Sequence, residues 1–482
     1  MSSRFWDMGM RVGVIGAGPA GLTAAYALSR AGIAVDVFEA AAHVGGMGRS
    51  LDLWGHRVDL GPHRFFSRDA RVNEVWLDLL GSDYRMVRRR TRILYRDRLF
   101  DYPLRPVNAL SQMGAREAGL CLLSYARARL RQGAAPAQTF EDWVVARFGR
   151  RLFEMFFESY SEKLWGIPCD QLSADFAAQR IKKFSLGEAI AAMVGRGAAR
   201  HRTLADLFAY PTGGNGLFYE RMASRITATG GRIALGRPAA GVTMSDGRAG
   251  GISLADGSTV ACDHVISTMP LTTLVATLPQ VPDAVRAAAA RLTFRNTILV
   301  YLLVARDDLF PDQWLYVHSP DLRTGRVTNF RNFAPELHRN LPSSVLALEY
   351  WCNDGDDIWH EREDRLVQLA TEEIVSTGLV RRDDVSAGTV IRVPRCYPVY
   401  ARGYMDALDP VVGYLQTIPN LWPLGRYGSF KYNNQDHSIL MGLLAAENIA
   451  QGAAHDLWAL NSDDDYQKGS AITATGLVPP SA

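Results

Sequence analysis

A chain of 482 residues, with 48% hydrophobic and 21% charged side chains, is long enough for two or three domains with large buried cores. Lysine and arginine outnumber aspartate and glutamate by only 53 to 50, which excludes a global field that gathers nucleic acid, so an anionic ligand must be gripped locally. Five dispersed cysteines without a CxxC pair exclude a disulfide framework or a zinc site, and no signal-peptide run or stretch of about 18 apolar residues occurs, which predicts a soluble, metal-free protein of the reducing cytoplasm.

Arg11 to Ile15 reads as a short strand, Leu22 to Arg30 as a helix and Ala34 to Phe38 as a second strand, the start of a right-handed βαβ unit. Between strand and helix lies Gly16-Ala17-Gly18-Pro19-Ala20-Gly21, a G-x-G-x-x-G turn. Its first glycine makes the turn, its second admits a pyrophosphate, and its third lets helix and strand pack closely. The helix start offers unpaired amides and a positive dipole end to the phosphates. Glu39 closes the second strand, where an acid accepts from ribose hydroxyls. A second glycine cluster, Gly45-Gly46-Met47-Gly48-Arg49-Ser50, adds a backbone loop and a guanidinium suited to a pyrophosphate.

Further on, the basic run from Arg85 to Arg98 alternates with Ile93, Leu94 and Tyr95 and predicts a half-exposed strand whose inner face serves an anionic substrate. Residues 106 to 193 turn helical, with an aromatic segment from Arg151 to Tyr160. Arg232 to Val265 reads as short strands with hairpin signals at Asp246-Gly247 and Asp256-Gly257. Ile298 to Val304 and Ser344 to Tyr350 predict a second sheet that walls a pocket, and a helix is expected from Ser438 to Ala450.

Gly16 to Glu39 followed by Gly45 to Ser50 resembles the FAD-binding segment of the amine oxidase, protoporphyrinogen oxidase and phytoene desaturase superfamily. Within it, three later motifs look most like UDP-galactopyranose mutase: His56 to Phe66 with Gly61-Pro62-His63, Tyr160-Ser161-Glu162-Lys163-Leu164-Trp165-Gly166, and Gly425-Arg426-Tyr427-Gly428-Ser429-Phe430-Lys431-Tyr432. The resemblance implies an α/β fold with a Rossmann-like (glutathione-reductase-type) FAD-binding domain, an inserted helical region and a second mixed-sheet substrate domain. The expected division is 1–105, 211–275 and 416–462 for the FAD domain, 106–210 for a helical cap, 276–415 for the substrate domain and 463–482 for a tail.

By the same resemblance, Gly16, Gly18, Gly21, Glu39, Gly46, Arg49, Val242, Gly425 and Arg426 hold FAD, and His63 lies beside the flavin ring. Tyr160, Trp165, Arg180, Tyr397, Tyr432 and Asn434 border the substrate, with Arg180, Tyr432 and Arg295 gripping a diphosphate. The implied reaction on a nucleotide-diphosphate sugar is pyranose/furanose isomerisation through a flavin N5–sugar adduct. Asn434 and Gln435 depart from the mutase pattern, as does the longer stretch from Phe184 to Pro211. These departures keep open an FAD-dependent oxidase, dehydrogenase or desaturase that removes hydride from a small molecule. No membrane span or nucleic-acid partner is expected, and a homo-oligomer is compatible with the sequence.

Overall fold

The computed structural model describes residues 9–104, 106–130, 137–175, 207–460, 471–473 and 476–478. Strand β1 (Arg11–Ile15) runs in parallel with β2 (Ala34–Phe38), and helix α1 (Pro19–Arg30) makes the crossover. Val12, Val14 and Val37 are buried, as expected of a parallel strand covered on both faces. Pro19 occupies the first helical position, where a missing N–H is harmless, and Gly18 caps the helix without a side-chain hydrogen bond. The first amides of α1 are therefore left for another acceptor.

The chain continues into a hairpin of Ser50–Leu53 with β3 (His56–Asp59). Helices α2 (Ala115–Leu130), α3 (Phe140–Phe148) and α4 (Ser159–Trp165) then form a helical region. Helix α3 opens on a capping box: Asp142 N donates to Thr139 Oγ1 at 3.0 Å and Thr139 N to Asp142 Oδ2 at 3.3 Å. A π-turn at Glu154–Glu158 leads directly into α4 and changes its helical phase.

Strand β4 (His264–Ser267) follows, then β5 (Phe294–Val304), β6 (Arg326–Asn329), β7 (Ser344–Cys352), β8 (Val385–Pro398), β9 (Leu421–Pro423) and helix α5 (Gln435–Gln451). The first sheet is parallel, in the order β9, β4, β1, β2 and Arg232–Ala234. The second has seven strands: β8, β5, β7, β6, Trp314–Val317, Thr91–Tyr95 and Arg98–Asp101. All nine residues of β7 are buried, so its neighbours must supply partners for any polar side chain there.

The fold class is the expected α/β arrangement of a parallel sheet and a mixed sheet. One assignment needs correction: the strands Thr91–Tyr95 and Arg98–Asp101, grouped by sequence with the nucleotide-binding part, hydrogen-bond into the second sheet, the first of them in parallel with Trp314–Val317. The hairpin at Asp246-Gly247 forms between Ala239–Ser245 and Arg248–Leu254, with φ of 50° and 74° at its two central residues, the conformation that two-residue hairpins favour. Helix α5 crosses α1 so closely that a Cβ on Gly442 would lie 2.6 Å from the Ala20 carbonyl oxygen.

Candidate functional site

Two glycine turns meet at the start of α1. Gly16 has φ of 97°, and a Cβ there would strike Thr268 Oγ1 at 2.1 Å; one on Gly21 would strike the Gly16 carbonyl oxygen at 2.1 Å. Gly45 N donates to Ala17 O at 2.8 Å, and a Cβ on Gly46 would lie 3.0 Å from Gly18 Cα. Glu39 ties the arrangement together, since Oε2 accepts from Ala17 N at 2.7 Å and Oε1 from Ala41 N at 2.9 Å. Each carboxylate oxygen retains a further acceptor position for a ribose hydroxyl.

Arg49 closes the second turn and touches the His43 ring through Nη1, while its Nε is buried without a hydrogen-bond partner. Burial lowers the pKa of this guanidinium from its ordinary value. An uncapped helix start, a turn without Cβ atoms and a buried guanidinium nitrogen without an acceptor together suit a pyrophosphate. Gly425 lies alongside, with φ of 75° and room for a Cβ only 3.0 Å from Ala20 Cβ. Val242 is buried on Ala239–Ser245, paired with Ile252.

Strand β3 delivers the loop that carries His63. Asp59, at its end, accepts from Ser50 Oγ at 2.5 Å, Tyr210 OH at 2.6 Å and Asn215 N at 3.1 Å, and burial pushes its carboxyl up to about 6. His63 Nδ1 is 4.0 Å from Asp59 Oδ2 and has no hydrogen-bond partner; burial, with Arg326 nearby, holds the ring down to about 4 and so neutral. The loop is pinned from the other side by Gln435, whose Nε2 donates to Arg64 O at 2.9 Å and whose Oε1 accepts from Tyr219 OH at 2.9 Å.

Beyond His63, a row of aromatic rings leads from the surface inward. Tyr102, 41% exposed, lies 4.8 Å from Tyr316, and Tyr316 meets Tyr160 edge-on at 5.6 Å. Tyr160 stacks on His318 at 4.7 Å and turns its edge to Trp351 at 5.6 Å. Trp351 meets Tyr397 at 6.2 Å, Tyr397 stacks on Tyr432 at 5.5 Å, and Tyr432 meets Trp165 at 5.7 Å. The Arg426 guanidinium sits over both Tyr397 and Tyr432, at 4.5 and 4.2 Å, and is aimed by bonds from Nε to Cys396 O at 2.8 Å and from Nη1 to Asn433 O at 3.2 Å.

A second buried cation, Arg326, lies 6.0 Å over Trp351 and pairs with Glu349, Nε to Oε1 at 2.6 Å and Nη2 to Oε2 at 2.5 Å. Sequence reasoning did not single it out. The available signal was Glu349, an acid within the otherwise apolar run Ser344 to Cys352, which requires a buried partner. Lys163, from the Tyr160 motif, braces the row: its Nζ donates to Ser319 O at 2.6 Å and Val317 O at 3.2 Å, and burial lowers it to about 8.

The structure thus gathers Tyr160, Trp165, Tyr397, Tyr432, Arg426 and His63 into one region. Asn434 stands at the start of α5, where its backbone N–H donates to His437 Nδ1 at 3.3 Å. Arg180 lies outside the described residues. Arg295 donates from Nη2 to Trp351 O at 2.8 Å and Lys163 O at 3.1 Å, fills the turn at Gly166, where a Cβ would lie 2.3 Å from Nη1, and keeps a buried Nε without a hydrogen-bond partner. Those carbonyls engage it as a brace between α4 and β7, and Arg326 is the arginine beside the rings.

Residues 19–407 match the sequence profile of flavin containing amine oxidoreductases. The chain belongs to that family. FAD is the cofactor of this flavoenzyme, and the paired glycine turns with Glu39 and Arg49 fit its dinucleotide. Over 183 residues the flavoenzyme is 25% identical to a probable UDP-galactopyranose mutase of Klebsiella pneumoniae, a stretch covering 36% of this chain and 45% of the relative. Its fold is similar to the crystal structure of reduced UDP-galactopyranose mutase, with a TM-score of 0.83 at 22% identity over 94% of this chain and 96% of the other. A putative protoporphyrinogen oxidase from Exiguobacterium superposes with a TM-score of 0.71 at 19% identity, covering 92% and 99% of the two chains. Among the described residues no helix is long and apolar enough to cross a membrane, and no group of acidic, histidine or cysteine side chains is arranged to hold a metal.

Proposed function

We propose that this flavoenzyme acts on a nucleotide-diphosphate sugar, isomerising the sugar ring in the manner of UDP-galactopyranose mutase. The observation that carries this reading is the aromatic row from Tyr102 to Tyr432 with the Arg326 and Arg426 guanidiniums along it. Flat rings suit the faces of a base and a sugar, and buried guanidiniums suit the diphosphate between them. When bound, reduced FAD supplies an electron-rich centre for attack at an anomeric carbon.

The chain's own groups have separable tasks. Gly18, Gly46 and Arg49 bind the cofactor's pyrophosphate in the turn that Gly16 and Gly21 shape, with Glu39 at its ribose and Gly425 and Val242 packed alongside. Neutral His63 lines the flavin side without adding positive charge there. Tyr160 and Trp165 orient the sugar nucleotide, and Tyr397 with Tyr432 presents hydroxyls to it. Arg426, Arg326 and Arg180 stabilise charge on a departing diphosphate; one such preorganised donor contributes about 3 kcal/mol in comparable sites.

An oxidoreductase reading draws on the family profile and on Asn434, which is exposed at the start of α5. Gln435, the other departure from the mutase pattern, is engaged by Arg64 and Tyr219 and so supports a structural role at that position. The deciding experiment reduces the flavoenzyme anaerobically with dithionite, adds a panel of UDP- and dTDP-hexoses, and separates products by chromatography. A ring isomer without net redox change supports the mutase reading. Flavin bleaching by an amine or alcohol, with peroxide formed in air and no isomer from any sugar nucleotide, supports the oxidoreductase instead.

A further inference from the structure

Helix α2 has a second, open side. Its inner side packs Cys121 with Met113, Ile93, Phe100 and Phe156, whereas Leu120, Leu122, Leu123 and Leu130 are 42%, 44%, 57% and 87% exposed. Eight large hydrophobic side chains are exposed among the described residues and four of them lie on this one helix, so scattered surface leucines do not account for the pattern. At about 100° per residue, Leu122, Ala126, Leu130 and Leu123 form a continuous stripe, with Arg129 along one margin and Arg116 and Arg127 along the other.

The charge of this face is one-sided. The helix has a single acid, Glu117, and Arg151 neutralises it through Nη2 at 3.1 Å from Oε2. Arg116 and Arg127 are exposed and form no ion pair among the described residues. Beside the helix start lies a cavity of about 430 Å³ lined by residues 113–116, Glu117, Leu120 and Arg151.

We propose that this face of α2 docks on the surface of an anionic phospholipid bilayer. A leucine stripe margined by Arg116 and Arg127 lets the apolar side chains enter the acyl boundary while those two arginines meet phosphate headgroups. A second copy of the chain is a poor occupant, because an isologous contact through α2 sets arginine margins against one another. Helix α2 packs on α3 and on Arg150–Phe153, the segment that runs through the π-turn into α4 with Tyr160 and Trp165. Docking therefore places the helical region that continues into α4 against the lipid surface.

The test is cosedimentation of the FAD-loaded protein with vesicles of phosphatidylcholine alone or mixed with phosphatidylglycerol. Wild-type protein is expected to pellet with the mixed vesicles and to stay in solution with neutral ones. Leu123→Glu/Leu130→Glu and Arg116→Glu/Arg127→Glu are each expected to lower the bound fraction at least about tenfold while flavin absorbance and melting temperature stay unchanged. The proposal is overturned if wild-type protein ignores anionic vesicles or if both folded variants pellet like wild type. It is also overturned if size-exclusion shows a wild-type dimer that Leu123→Glu/Leu130→Glu dissociates, which would make a second copy the occupant.

Discussion

Arg326 and Glu349 stand directly opposite one another on β6 and β7 and join through two parallel hydrogen bonds, with Glu349 only 2% exposed. The pair fixes the guanidinium over the Trp351 ring, and Glu349 also approaches Gly61, where a Cβ would lie 3.1 Å from Oε1. The cation of the candidate substrate site and the loop of His63 thus share one carboxylate.

Breaking that pair from one side is expected to hurt the fold. Glu349→Ala leaves a buried guanidinium without a partner and should destabilise the protein by about 3–5 kcal/mol, read as a lower melting temperature. Arg326→Met/Glu349→Leu removes both charges and should recover most of that loss. The double variant should keep its yellow colour yet lose UDP affinity by calorimetry; undiminished affinity would remove Arg326 from the substrate site.

Glycines of the first turn should separate folding from cofactor binding. A Cβ on Gly18 meets nothing nearer than Gly46 Cα at 3.9 Å, whereas one on Gly21 meets a carbonyl oxygen at 2.1 Å. Gly18→Val is expected to fold, with an unchanged far-ultraviolet circular dichroism spectrum, but to purify colourless because its methyls fill the cradle. Gly21→Val is expected to be insoluble or strongly destabilised.

Stability should depend on pH through two buried groups of opposite sign. His63 is held at about 4 against an ordinary 6.5, so between those values the unfolded chain binds a proton that the folded chain refuses, and stability from this group rises with pH. Asp59 is raised to about 6 from 3.8, so its folded form keeps a proton that the unfolded chain releases, and stability from it falls as pH rises through that window. Melting curves from pH 4 to 7 should therefore show Asp59→Asn with a steeper gain toward neutrality than wild type, and His63→Gln with a shallower one. Identical slopes in all three proteins would contradict both assignments.

Gln435→Met removes the bonds to Arg64 and Tyr219, each worth about 1 kcal/mol. The expected result is a modest drop in melting temperature with retained FAD and faster hydrogen exchange in the 61–65 loop, measured by mass spectrometry. Unchanged exchange there would show that the loop is held by other contacts.

What could be read from the sequence follows from how local each constraint is. The turn from Gly16 to Gly21 is legible because backbone approach and positive φ dictate glycine at fixed spacing, and the turn carries its own signature. The ring row is assembled from Tyr102, Tyr160, Tyr316, Trp351, Tyr397 and Tyr432, positions whose convergence depends on strand order, so motif matching found some members without showing that they form a path. Arg295 and Arg326 both lie at the start of a strand, and only their partners distinguish them: the carbonyls of Lys163 and Trp351 for one, a carboxylate across the ladder for the other. The pairing of Thr91–Tyr95 with Trp314–Val317 joins segments more than two hundred residues apart, beyond any periodicity signal.

All five cysteines are buried, and burial raises every thiol, to about 11 for Cys121 and Cys262 and about 12 for Cys352 and Cys396. At neutral pH the native chain therefore presents almost no thiolate to an electrophile. A single cysteine introduced on an exposed position such as Leu130 becomes the sole rapidly labelled site, so a spin label or environment-sensitive dye can be attached there without first deleting any native residue.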